Sequence, residues 1–311
     1  MSFPEHDGRM RPGDDLAPSA RAALASIRAR AQGATQPVPA TWRVALHFHP
    51  EIDIAGEPVL RRILEHRRYL SQFATGTSNG GVTAVPGGDR MRWESRLFGD
   101  AYAIAAADER PIYGAVDADG DRFGPAPRFG SAHLRLRADT LARATFAYPD
   151  SALGDAAVGA LEHLPGLILA AQSAAGDPLN RYVEAHVHGG VRVPDDVEAV
   201  VLDPSFDDRE VLELARAAGI RVEWHPGFRA PLAQIEAHPE YRGAVIADLA
   251  RVVAAGDDVL TPAHLAAARR ERIADEQSLK GVWHCIARFG RPGQNGGGSG
   301  MNMTRGGGSS S

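Results

Sequence analysis

Val183-Glu184-Ala185-His186-Val187-His188-Gly189 alternates apolar and polar residues at period two, the pattern of a β-strand. Alternate residues of a strand share a face, so Glu184, His186 and His188 stand in one row. Burying a carboxylate and two imidazoles is costly unless each finds a partner. The row therefore points to a polar cleft on one face of a sheet.

Two other short segments carry the same signature. Leu46-His47-Phe48-His49-Pro50 holds a second His-x-His pair, and Val222-Glu223-Trp224-His225-Pro226 adds His225. Trp42–His49, Tyr113–Asp117, Ser131–Arg137, Thr145–Tyr148, Arg181–His188, Val197–Leu202 and Ile220–Trp224 read as strands. Helical spacing marks Asp15–Gln32, Glu57–Tyr69, Arg90–Phe98, Asp155–Ala171, Asp207–Ala218, Tyr241–Ala255 and Pro262–Arg288. Pro165 is a possible break in the fourth of these. Ala138–Ala144 reads as a further short helix. The fold class is α+β. Residues 1–40 form a tail and helix, 41–230 a mixed α+β domain, 231–289 a helical extension and 290–311 a Gly/Ser-rich tail.

Composition narrows the function classes. The 311 residues carry a formal net charge of −5, which gives no bulk attraction to nucleic acid or to an acidic membrane. The N-terminus lacks the apolar core of a secretory signal, and no apolar run reaches membrane-spanning length. Cys285 is the single cysteine, which removes an intramolecular disulfide framework and suits a reducing cytoplasm. Export by a signal-independent route is also compatible with this sequence. Lys280 is the single lysine, so the basic charge is otherwise arginine, the usage of a GC-rich genome; a Schiff-base mechanism would have to use Lys280.

Thr75-Gly76-Thr77-Ser78-Asn79-Gly80-Gly81 offers hydroxyls, a carboxamide and permissive backbone near a ligand. It is neither a P-loop nor a dinucleotide fingerprint. Arg90 and Glu94 stand one helical turn apart, either as an ion pair or as a fixed arginine meeting a phosphate. His47, His49, His186, His188 and His225 could alternatively be metal ligands of a hydrolase. Too little chain follows His188, however, to build an eightfold barrel from that strand. A non-catalytic nucleotide- or protein-binding module is a further alternative.

His47-Phe48-His49-Pro50, Ser71-Gln72-Phe73, the Thr75–Gly81 stretch, Gly87-Gly88-Asp89-Arg90 with Trp93-Glu94, Arg128-Phe129-Gly130-Ser131 and Val183–Gly189 occur here in this order. Over about residues 41–230 the chain resembles the bacterial family DUF3626, a domain of unknown function. More distantly, Tyr113-Gly114, Phe129–Leu136, Arg143–Asp150 and Tyr182–Gly189 are similar to segments of bacterial members of the ADP-ribosyltransferase superfamily.

That second resemblance implies a split, mixed sheet and NAD as substrate. A protein acceptor or water would receive the ADP-ribose. By the same resemblance Glu184 stabilises the oxocarbenium-like ribose, with His186 standing where such enzymes often carry a second acid. Ser78 or Thr77 supports Glu184; Thr77, Ser78 and Asn79 shape the pocket, and Gly80 adds to the cofactor-binding stretch. Arg43, His47 or His49 holds a ribose hydroxyl or the diphosphate, and Arg90 reaches a phosphate.

Overall fold

The computed structural model describes residues 16–292, apart from 51, 55, 72, 74–87 and 207. Eight strands make one sheet: β1 (Arg43–Phe48), β2 (Ile112–Asp117), β3 (Ala132–Leu136), β4 (Ala144–Tyr148), β5 (Ala157–Gly159), β6 (Glu184–Val187), β7 (Val197–Leu202) and β8 (Arg221–Trp224). Their order across the sheet is β8-β7-β3-β1-β2-β6-β4-β5. All neighbours run antiparallel except β7 and β8. That parallel pair needs a crossover, and the helix Arg209–Ala217 supplies it.

The sheet is continuous where a split was expected. Ala115 of β2 pairs with Ala45 of β1 on one side and with Glu184 of β6 on the other, so β2 joins the two halves.

The period of two gives the sheet two unlike faces. Val44, Leu46 and Phe48 of β1, Leu134 and Leu136 of β3, and Ala185 and Val187 of β6 share one of them. They form one core with α1 (Val59–His66), α2 (Leu164–Ser173) and α3 (Arg209–Ala217), the crossover helix; Leu60, Ile63, Leu164, Leu167, Val211 and Ala215 reach in. The opposite face is polar. Register sets His47 beside His133, and His186 between Tyr113 and Thr145.

The helices Pro18–Arg30 and Asp89–Phe98 build a second core over part of the polar face, with Ala23, Ile27, Trp93 and Phe98 packed among Tyr102 and Tyr113. Four more helices follow β8: α4 (Leu232–Ala237), α5 (Ala244–Val253), α6 (Pro262–Arg270) and α7 (Glu276–Phe289). Their core includes Phe123 and Leu179 from the sheet region, and the Trp283 indole N–H donates to the Pro127 carbonyl at 2.9 Å.

Two expected helices change at identifiable residues. Residues 155–171 begin with strand β5, and Pro165 sits in the first turn of α2, where its missing N–H has no helical partner to lose. The segment 262–288 is two helices. Asp275 starts the second by accepting the Ser278 N–H at 2.9 Å. No helix among the described residues is long and apolar enough to cross a membrane.

Candidate active site

A cleft of about 200 Å³ opens on the polar face of the sheet. Glu184, Tyr113 and His47 reach it from the strands, Arg90 and Trp93 from the helix Asp89–Phe98, and Lys280 from α7. Arg128, Phe129, Asp150 and Tyr182 add to its lining from connecting segments. The walls are largely aromatic. Phe129 and Tyr182 meet edge to face with centroids 5.4 Å apart, and the Arg90 guanidinium lies 4.8 Å from the Tyr113 ring centroid and 5.1 Å from that of Trp93.

Glu184 is buried and well held. It accepts the Ser151 backbone N–H at 3.1 Å, and the Ser151 hydroxyl also donates to it. His186 Nε2 lies 3.3 Å from the same carboxylate oxygen, without an aligned hydrogen bond. Burial alone would raise the carboxyl pKa, but His186 and the two Ser151 hydrogen bonds outweigh it and hold it below the ordinary carboxylate value.

Behind Glu184 runs a chain of polar groups. His186 Nδ1 is 3.1 Å from Thr145 Oγ1, which is 3.0 Å from His188 Nε2; His188 Nδ1 is 2.7 Å from the Tyr102 hydroxyl. One direction of donation suits every member. Tyr102 donates to His188 Nδ1, His188 Nε2–H to Thr145, and the Thr145 hydroxyl to His186 Nδ1, leaving His186 Nε2–H facing the carboxylate. The reverse order would aim a nitrogen lone pair at Glu184 and strand the Tyr102 proton. Burial keeps His188 neutral by lowering its pKa to about 3, and it raises that of Tyr102 above the ordinary phenol value.

The other sequence-predicted residues are scattered. His47 lines the cleft, but Nδ1 faces the Gly130 carbonyl at 3.3 Å and Nε2 accepts the Ala126 N–H at 3.2 Å. Burial lowers its pKa to about 3, so it is a neutral donor–acceptor bridge. His49 packs edge to face on Trp283, with centroids 4.7 Å apart. His225 donates to the Ser131 carbonyl at 2.8 Å and accepts the Gly227 N–H at 3.1 Å. Arg43 does not line the cleft: it pairs with Glu198 at 2.8 Å, in a ladder that continues through Arg135 to Glu223. Thr77, Ser78, Asn79 and Gly80 lie outside the described residues.

The five histidines weighed as metal ligands do not converge. Among the described residues no group of three or more His, Cys, Asp or Glu side chains is placed to hold a metal ion. Glu94 is buried with Arg110, at 2.5 Å, and accepts the Tyr113 hydroxyl at 2.5 Å.

Sequence reasoning missed Ser151, Arg128, Tyr182 and Lys280. Asp150-Ser151 reads as a cap or turn, and Asp150 does cap a turn by accepting the Ala152 N–H at 3.0 Å. Its neighbour turns inward to Glu184, which no local pattern encodes. For Lys280, the signal available was its solitude.

No curated protein matches the chain. The model of a protein family of unknown function, DUF3626, matches residues 43–174 and 167–289. The match runs from β1 to the end of α7, past the boundary expected near residue 230, so the C-terminal helices are part of the family's common region. The chain belongs to the DUF3626 family.

Proposed function

We propose that the protein cleaves the nicotinamide–ribose bond of NAD, as an ADP-ribosyltransferase or as an NAD glycohydrolase. One observation carries this reading: the Glu184 carboxylate, held ionised by Ser151 and His186, faces a small cleft walled by aromatic rings. Breaking the bond between the pyridinium nitrogen and the ribose anomeric carbon sends the electron pair to neutral nicotinamide. Positive charge develops on the ribose, where a fixed carboxylate in a partly dry site is most effective. An acceptor nucleophile or water then bonds to the anomeric carbon and gives up its proton.

Several features support the reading. A carboxylate among aromatic walls suits the nicotinamide riboside end of the dinucleotide. Trp93, Tyr113, Phe129 and Tyr182 offer faces and edges to a planar, electron-poor ring. His186 lies behind Glu184, fully buried, and acts by orienting the carboxylate. The distant resemblance names the same glutamate.

The test is nicotinamide release from NAD by the purified chain and its Glu184→Gln variant, with a chelator control. Wild type should release nicotinamide in the presence of chelator. The variant should bind NAD yet turn over slower by about a hundredfold or more, the scale for losing one preorganised electrostatic group. Wild-type turnover by the variant, or neither binding nor release by the wild type, overturns the assignment. NAD binding without release would favour a binding module.

A further inference from the structure

The same cleft holds a second electrostatic feature, and it comes from the part of the chain that reads as an extension. Lys280 on α7 and Arg128 from the segment before β3 both line it. Lys280 is half-buried and makes no hydrogen bond or ion pair among the described residues. Arg128 donates from one terminal nitrogen to Asn180 and lies 5.2 Å from the Phe129 ring centroid, while its Nε is buried without a hydrogen-bond partner.

Besides Glu184, one carboxylate lines the cleft with them, and neutral donors hold it. Asp150 accepts the Tyr182 hydroxyl at 2.5 Å through one oxygen and the Ala152 N–H through the other. Burial, with the Arg128 charge added, pushes the Lys280 pKa below the ordinary amine value, and Asp150 only partly offsets this. Lys280 and Arg128 thus set two positive charges against the one carboxylate of Asp150 in a partly dry cleft, an imbalance that is costly. An anion between them would relieve that cost.

We propose that Lys280 and Arg128 form an anion subsite of the Glu184 cleft, which takes the phosphate of a glycosyl-phosphate ligand. The substrate class follows from the two poles. At the Glu184 end the ligand presents a sugar carbon that becomes positive; at the Lys280–Arg128 end it presents a phosphate ester. A nucleotide with a cationic base, carrying its phosphate on the same ribose, has both. This identification of the ligand rests on the reading of the cleft as a glycosyl-transfer site. It also gives α7 a direct share in substrate recognition.

Because Lys280 is the only lysine, isotope-labelled lysine reports on this site with one side-chain NMR signal from the full chain. Adding inorganic pyrophosphate should shift that signal saturably and raise its titration midpoint. Arg128→Gln should weaken the effect about tenfold, since each lost charge-assisted contact costs on that scale. A signal that ignores millimolar pyrophosphate overturns the subsite.

A second comparison uses nicotinamide mononucleotide against nicotinamide riboside, which lacks the phosphate. Lys280→Met should weaken mononucleotide binding about tenfold and leave riboside binding unchanged, and Lys280→Arg should restore the mononucleotide. Equal losses for the two compounds, or no loss, overturn the proposal. The two ideas fail separately. A pyrophosphate response with no NAD cleavage keeps the anion subsite and removes the glycosyl-transfer reading. Glu184-dependent cleavage with a silent Lys280 does the reverse.

Discussion

Thr145 is the residue on which the buried polar chain depends, since its one hydroxyl serves both His186 and His188. Thr145→Val keeps the shape and removes the bridge. It should cost about 1–3 kcal/mol of stability, the range for leaving buried polar groups unmatched. It should also free the His186 ring, so that the acidic limb of activity moves to higher pH as the Glu184 carboxyl returns toward its ordinary value. A pH–rate profile beside a urea titration checks both, and a lower melting point with an unmoved acidic limb would reduce Thr145 to packing. Ser151→Ala removes a direct hydrogen bond to Glu184 and should move the limb the same way.

The buried histidines set the acid response. His47, His188 and His284 each have a pKa lowered to about 3 by burial, against an unfolded value near 6.5. Between these values the unfolded chain binds more protons than the native one, so stability falls as pH falls. The slope is about 1.4 kcal/mol per pH unit for each group, and each contributes a loss of about 2 kcal/mol by pH 5. Thermal melts from pH 7 to pH 5 should show a steep fall. A flat profile would show that these rings do not stay neutral in the fold.

At the scale of elements, the cleft is held by connections between strands and helices. Gly130 ends the turn before β3, and a Cβ there would collide with the Phe48 carbonyl oxygen. Gly130→Ala must push this turn away from β1, and so from His47, at a cost of about 3 kcal/mol; it should lower the melting temperature. Asp275 caps α7, the helix that carries Lys280 and Trp283. Asp275→Ala should cost about 1 kcal/mol, and the Lys280 NMR signal should broaden as the first turn frays. A sharp, unshifted signal would mean that tertiary packing alone holds that turn.

Across the whole molecule, the C-terminal helices are built into the domain. Trp283 is fully buried, donates to Pro127 and stacks edge to face on both His49 and Phe228. Trp283→Ala should cost about 3–5 kcal/mol and weaken nucleotide binding, because Pro127 adjoins Arg128 and Phe129 of the cleft wall. Retained binding in a destabilised variant would separate the helical core from the site.

Much of this was legible in the residues themselves. Strand-like patterning marked seven of the eight sheet strands, and period-two alternation put Glu184 in a polar row, because side-chain direction along a strand is a local property. Helical spacing marked most of the helices for the same reason. The boundaries that slipped, at Pro165 and Asp275, turned on one residue's capping chemistry. Strand β5 was missed because three residues at a sheet edge carry too little pattern.

What only the tertiary structure decided is which polar residues meet. Arg43 and His47 are neighbours on one strand face, yet one joins a surface ladder and the other bridges two backbone groups. Ser151 reaches the Glu184 carboxylate from 33 positions away, and Lys280 reaches its cleft from 96. Sequence patterns report the direction of a side chain relative to its own backbone. Partners across a sheet of order β8-β7-β3-β1-β2-β6-β4-β5 are set by long-range register and by helices packed over it. The sequence thus determined a two-faced sheet with a polar row, and folding determined that the one carboxylate of that row faces a cleft that Lys280 and Arg128 also line.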